Sequence, residues 1–227
     1  MTSSGATPKA PDGRRILLLI GAVGAGKGTQ ADMLARELGL VHLASGNLFR
    51  RALQEGTELG EKAREYMEQG DLVPDEITIA MFMDELARPV AARGAILDGF
   101  PRTVAQAEAL DATLAQQGEA IEHAIHIDVP TEELVERVSG RWVCPTCGTP
   151  YHARTDPPRQ AGVCDKDGTP LRQRDDDRPE VVRARLAKQT PPMLQVIDHY
   201  RAAGNLLVVD GRGSVGDVGR VILEAVR

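Results

Sequence analysis

Apolar positions along the chain follow two alternating patterns. Residues 16–20 form a continuous apolar run, Ile-Leu-Leu-Leu-Ile, that stops at Gly21 and reads as a buried strand. Ala31, Leu34, Ala35 and Leu38 then recur at helical spacing, and Gly39 closes that helix. Residues 41–44, 95–97, 124–129 and 206–209 are four further apolar runs of strand length. Strands alternating with helices predict an α/β fold: a parallel five-stranded sheet flanked by helices. The chain contains no internal repeat.

Two segments break the alternation. Residues 44–73 read as short helices bounded by Gly70 and Pro74. Residues 140–177 are rich in Gly, Pro, Cys, Arg and Asp and poor in large apolar side chains. Neither can build much core alone, so both are expected to be mobile lobes on a rigid sheet. The expected core is 14–43, 74–139 and 178–227, and residues 1–13 are expected to be a disordered tail.

Composition narrows the class. Of 227 residues, 42% are hydrophobic and 26% charged, as in ordinary globular proteins. The longest apolar run, near 16–23, is far short of a bilayer span, and no signal segment opens the chain. A net charge of −6 with 3% aromatic residues disfavours a nucleic-acid partner. Three cysteines, an odd number, argue against a disulfide framework and for a reducing cytoplasm.

Candidate chemistry begins after the first strand. Gly21-Ala22-Val23-Gly24-Ala25-Gly26-Lys27-Gly28-Thr29 lies between a strand and a helix, the setting a phosphate loop needs. Its glycines let backbone N–H groups converge on an anion, the helix start faces it, and Lys27 adds a point charge. Gly28 stands where the generic loop has Ser or Thr, which moves the hydroxyl to Thr29. Farther on, Cys144-x-x-Cys147-Gly148 and Cys164-x-x-Asp167-Gly168 are separated by sixteen residues. Three thiolates and a carboxylate would complete a closed tetrahedral Zn²⁺ site, with His152 as the rival fourth ligand and Asp165 poorly placed to chelate. His42, His123, His126 and His199 have no clustered spacing and read as structural.

The segment Gly24-Ala25-Gly26-Lys27-Gly28-Thr29-Gln30 resembles the adenylate kinase family. The likeness continues through Ser45-Gly46-Asn47-Leu48-Phe49-Arg50, Asp71-Leu72-Val73-Pro74-Asp75 and Leu97-Asp98-Gly99-Phe100-Pro101-Arg102 with Gln106. It ends with Arg137, Gly140-Arg141, Arg174-Asp175-Asp176-Asp177 and Arg183-Ala184-Arg185, and so covers about residues 15–227 in order. Departures are Val23 for a frequent proline, Ser45 for threonine and Asn47 for aspartate; the first 14 residues have no counterpart.

The resemblance implies reversible phosphoryl transfer from MgATP to AMP, giving two ADP. It implies an AMP-binding lobe at 44–73 and a lid at 140–177. An acceptor phosphate is already nucleophilic, so positioning and charge neutralisation carry the catalysis. By this likeness Lys27, Arg102, Arg141, Arg174 and Arg185 are the catalytic cations. ATP is held by Gly24, Ala25, Gly26, Lys27, Gly28, Thr29, Arg137, Arg141, Pro150, Tyr151 and the backbone near Gly213. AMP is held by Ser45, Arg50, Asp71, Leu72, Val73, Gly99, Phe100, Pro101, Arg102, Arg174 and Arg185. Gln106 has two readings: a contact to the AMP adenine, or the closing residue of a capping box with Thr103. Asp98 belongs to the water shell of Mg²⁺, or caps a turn. Zinc-bearing lids with this cysteine pattern occur in the family, which supports structural Zn²⁺ at Cys144, Cys147, Cys164 and Asp167. The expected protein is a cytoplasmic monomer. A related kinase using GTP, UMP or CMP is the nearer alternative; a nucleotide-dependent nucleic-acid-binding protein is the remote one.

Overall fold

The computed structural model describes residues 14–69, 73–154, 156–173 and 177–227. The expected tail, Asp71, Leu72 and Arg174 lie outside the described residues. Helix and strand alternate as β1 (Arg15–Ile20), α1 (Lys27–Leu38), β2 (Val41–Ala44), α2 (Ser45–Gln54), α3 (Glu58–Gln69), α4 (Asp75–Leu86), β3 (Gly94–Asp98), α5 (Val104–Gln116), β4 (Ile121–Asp128) and α6 (Thr131–Ser139). There follow β5 (Arg141–Val143), β6 (Pro150–His152), α7 (Pro179–Ala203), β7 (Leu206–Asp210) and α8 (Val215–Val226).

Five strands form one parallel sheet in the order β2-β3-β1-β4-β7. Both faces are covered, so β1 is apolar at every position from Ile16 to Ile20 rather than alternating. Ile16, Leu18 and Ile20 join Leu97, Phe100, Leu110 and Tyr200 on one side. Leu17 and Leu19 join Leu34, Ile96, Ile125, Ile127 and Ile222 on the other. The chain leaves β1 towards β2 on one side, and leaves β4 towards β7 on the other. At such a reversal the loops beyond the strand ends part, leaving a crevice for ligands.

Strand β2 has the expected bounds, β1, β3 and β7 are longer by one residue at one or both ends, and β4 starts three residues and ends one residue earlier than expected. The pair β5 and β6, antiparallel and outside the main sheet, was not anticipated. Within 44–73, Leu48, Phe49, Ala52 and Ala63 are buried with Met81 and Phe82 in the larger apolar cluster. Within 140–177, Cys144, Tyr151, Cys164 and Leu171 form a small cluster of their own. Among the described residues, no helix is long and apolar enough to cross a membrane.

Helix α7 ties the two faces together. Val182 and Leu186 near its start join one cluster, and Val196, Ile197 and Tyr200 near its end join the other. Pro191 and Pro192 lie inside it. Each interior proline costs about 3 kcal/mol in an isolated helix. Burying the five apolar anchors, at about 1.5–3 kcal/mol apiece, outweighs that cost. The helix therefore continues, and its middle passes the cleft at Arg185, Gln189, Thr190 and Met193.

Candidate functional site

The loop after β1 is shaped by what packs beneath it. Gly24 has φ of 88°, and a Cβ there would lie 2.6 Å from Val138 Cγ2 and 3.0 Å from Leu134 O. Only glycine fits both the left-handed backbone and the close approach of α6. Gly26 stands at the start of α1, so the first turn of that helix opens onto the same space.

That space is a cleft of about 650 Å³, within the range of ligand sites. Gly24, Gly26, Lys27, Gly28 and Thr29 line it from the loop. Ser45 and Arg50 line it from α2, and Asp98, Gly99, Pro101 and Arg102 from the end of β3. Arg137, Arg141, Pro150, Tyr151 and Arg185 complete the expected set found there. The other expected residues lie elsewhere. Ala25 is buried beneath the loop, and Val73 and Phe100 are in the core, Phe100 stacked on Phe82 at 4.3 Å. Gln106 is buried behind Arg102, and Gly213 is exposed beside α8.

Three arginines lie close enough to act on Lys27, and Arg185 also acts on Arg102. Burial pushes the Lys27 ammonium down from its ordinary value, Asp98 pulls it up, and Arg102, Arg141 and Arg185 each push it further down. Arg102 is lowered by burial and by Arg185, against Asp98. In this structure Lys27 Nζ donates to Ala22 O at 3.0 Å. Arg102 donates to Gly99 O at 2.7 Å and to Ser45 Oγ at 3.2 Å. Arg141 grips Asp177, which is fully buried, through two bonds of 2.9 and 2.5 Å. Arg137 donates to Gly211 O at 2.9 Å and to Glu133.

Asp98 is the counter-charge. Burial alone would raise its carboxyl, but His42, Lys27 and Arg102 hold it below the usual carboxylate range. A Cβ on Gly28 would lie 3.5 Å from Asp98 Oδ2, so the carboxylate abuts the start of α1. Sequence reasoning treated His42 as a structural residue with no cluster. It lines the cleft, with Nδ1 2.7 Å from Asp32 Oδ1 and Nε2 paired with Asp98 Oδ2 at 3.5 Å. The available signal was register: β2 runs beside β3 with Ala44 opposite Asp98.

Cys144, Cys147, Cys164 and Asp167 come together with all ligand atoms within 4.8 Å of one another. The two turns are near copies. Gly148 N donates to Cys144 O at 3.0 Å and Gly168 N to Cys164 O at 2.9 Å, with both glycines at positive φ. Cys147 and Cys164 sulfurs are 3.6 Å apart, and Cys144 Sγ is 3.3 Å from Asp167 Oδ2. Tetrahedral Zn²⁺ with ordinary bond lengths would set these separations at about 3.7 and about 3.5 Å. His152, the rival ligand, lies outside the group; it accepts from Arg154 N and packs on Gly140. Backbone donation from Thr169 holds the Asp167 carboxyl well below its ordinary value, the state a metal ligand needs.

Comparisons with known proteins agree on one family. The family model described as "Adenylate kinase" matches residues 19–205. A protein of Oceanobacillus iheyensis named adenylate kinase is 52% identical over 198 residues, 86% of this chain and 91% of that protein. An adenylate kinase of Lysinibacillus sphaericus is 49% identical over 89% of this chain and 93% of its own length. One of Carboxydothermus hydrogenoformans is 47% identical over 93% and 99% respectively.

The pairing of His42 with two carboxylates has a measurable consequence. Asp98 and Asp32 raise the His42 pKa above its ordinary value of 6.5, against the opposing effect of burial. A raised folded-state value means stabilisation that is full below the unfolded value and lost as pH rises through the folded one. The stability difference between wild type and His42→Gln, from urea unfolding, should be larger at pH 5.5 than at pH 9. A difference independent of pH would show that the imidazole is not charged between these carboxylates.

Proposed function

The chain belongs to the adenylate kinase family, and we propose that this one cleft holds both nucleotides while a phosphoryl group passes between them. The enzyme is an ATP:AMP phosphotransferase that interconverts MgATP and AMP with two ADP. The convergence of Lys27, Arg102, Arg141 and Arg185 on one space carries the reading of the site. Asp98 and Asp177 offset only part of this positive charge, and two facing phosphate chains would supply the remaining anions.

ATP phosphates lie along the loop 24–29, with Lys27 leaving Ala22 O for the transferring group. Arg137 packs on the donor base near Gly213, with Pro150 and Tyr151 on the same side. Arg141 exchanges Asp177 for the donor phosphates. On the acceptor side, Arg50 and Arg102 hold the AMP phosphate, with Ser45, Gly99 and Pro101 shaping the floor. Asp71, Leu72 and Val73 edge the acceptor base, and Arg174 and Arg185 clamp the group in flight. No general base is required, because the acceptor oxygen is already anionic.

Mg²⁺ bound to ATP would screen the repulsion between its phosphates. Asp98 fits the water shell of that ion: it is held anionic and abuts the phosphate loop. The segments 44–73 and 140–177 would act as lobes that close over the nucleotides, excluding water that would otherwise take the phosphoryl group. The protein is read as a cytoplasmic monomer that binds ATP, AMP and ADP.

Zinc at Cys144, Cys147, Cys164 and Asp167 would be structural, since four protein ligands leave no open position. The cluster of Cys144, Tyr151, Cys164 and Leu171 is a small apolar core, so metal binding would supply much of the lid's folding free energy.

Two experiments test this reading. Lys27→Ala and Arg102→Ala should each lower kcat by about a hundredfold or more with unchanged circular dichroism, because charge stabilisation is the main catalytic contribution. Near-normal turnover in either variant contradicts the assignment. Metal analysis should find one zinc per chain in wild type and in Asp167→Cys, with loss of metal and a lower melting temperature in Cys147→Ala. Zinc well below one per chain in wild type, or unchanged melting of Cys147→Ala, would show that the lid is not built on the metal.

A further inference from the structure

Behind the acceptor side of the cleft lies a glutamine whose orientation is dictated by its neighbours. Gln106, on α5, is 2% exposed. Its Oε1 accepts from Arg102 N at 2.7 Å, and its Nε2 donates to Asp75 Oδ1 at 2.7 Å. A backbone N–H can only donate and an ionised carboxylate can only accept. The amide nitrogen must therefore face Asp75 and the oxygen Arg102, which removes the ambiguity most amides carry. Asp75 is itself held: its Oδ2 accepts from Thr103 Oγ1 at 2.9 Å, and that hydroxyl accepts from Gln106 N at 3.2 Å. Half of the expected capping box is present, since Thr103 accepts from Gln106 N, while the glutamine side chain reaches the N–H of Arg102 rather than that of Thr103. Arg102 extends into the cleft towards Ser45, so the amide sits directly behind the arginine assigned to the acceptor phosphate.

We propose that Asp75 is a positioning residue for acceptor choice: by fixing the sense of the Gln106 amide, it makes the site take a 6-aminopurine monophosphate and reject a 6-oxopurine one. The proposal rests on the reading that Gln106 meets the acceptor base. A primary amide has two N–H hydrogens and two carbonyl lone pairs. Among the described residues, one of each is engaged. The remaining N–H and lone pair form an edge that donates at one point and accepts at the next. A 6-aminopurine presents an acceptor at N1 beside a donor at N6, which complements that edge. A 6-oxopurine presents the reverse, a donor at N1 beside an acceptor at O6.

A loosely held amide answers both patterns by turning over. Gln106 cannot turn without setting its oxygen against the Asp75 carboxylate and its NH₂ against the Arg102 N–H. Both contacts are repulsive and buried, where an unmet polar group is costly. Thr103 keeps Asp75 from rotating away to relieve them. Selectivity between the two purine classes is thus a property of Asp75 as much as of the glutamine.

The test is the ratio of kcat/KM for AMP to that for inosine monophosphate. Asp75→Asn is nearly isosteric and can present either an NH₂ or an oxygen to Gln106, so both senses of the amide become available. The ratio should fall about tenfold or more, through the acceptor KM, with the KM for ATP unchanged. A purely structural role would lower both acceptors together and leave the ratio alone. Gln106→Ala is measured alongside. If it keeps the wild-type ratio, Gln106 does not meet the base, and the proposal falls with that reading. If it collapses the ratio while Asp75→Asn keeps it, the positioning role alone is overturned. Should Asp75→Asn fail to fold, Thr103→Val removes the hydroxyl that steadies Asp75 and should lower the ratio in the same direction; an unchanged ratio there overturns the proposal.

Discussion

Lys27, Arg102, Arg141 and Arg185 face one cleft and repel one another, and much of the structure serves to hold them in place. Left to themselves these side chains would spread into water, where the repulsion is screened. Three of them are restrained by groups the fold fixes: Lys27 by Ala22 O, Arg102 by Gly99 O and Ser45, and Arg141 by the buried Asp177. Asp98 is a shared counter-charge for the pair nearest the sheet, acting on both Lys27 and Arg102. The fold thus gathers these charges around one cleft, and on the proposed reading phosphate oxygens would take over the contacts that Lys27 and Arg141 make here.

The sheet makes this possible because its strands end together beneath the cleft. The loop 21–26 follows β1, Asp98 ends β3, and α6 follows β4 and packs under the loop at Gly24. Helix α7 returns from the segment that carries the cysteine cluster across the same region and delivers Arg185. The partners of Lys27 and Arg102 belong to the backbone or to short side chains, which phosphate oxygens can replace at small cost. Arg141 differs, since its partner is a full carboxylate held bidentately. Releasing it would require a compensating anion, the role the proposed function gives to the donor phosphates.

Much of this was legible in the sequence because the signals are local. Each strand of the main sheet contains a short apolar run, and the phosphate loop is a contiguous stretch with three glycines ahead of a lysine. The two turns that bring Cys144, Cys147, Cys164 and Asp167 together repeat one spacing, and the resemblance carried the arginines. Legibility failed where function depends on contacts between distant segments. His42 reaches the site through strand register, and Asp75 through the packing of α4 against α5; neither has a sequence spacing that marks it. The choice between Asp167 and His152 likewise needed the fold, since both lie at plausible distances along the chain. Residues 44–73 were expected to build little core of their own, and Leu48, Phe49, Ala52 and Ala63 are buried in a cluster shared with β1, β3, α4, α5 and α7.

The central claim is that one cleft of fixed cations accommodates two nucleotides at once. Calorimetric titration with two adenosines joined by a chain of five phosphates measures this most directly. The account predicts one ligand per chain, bound at least a hundredfold more tightly than ATP or AMP alone, because the second half binds as an intramolecular event. Binding no tighter than that of ATP, or two ligands per chain, would contradict it.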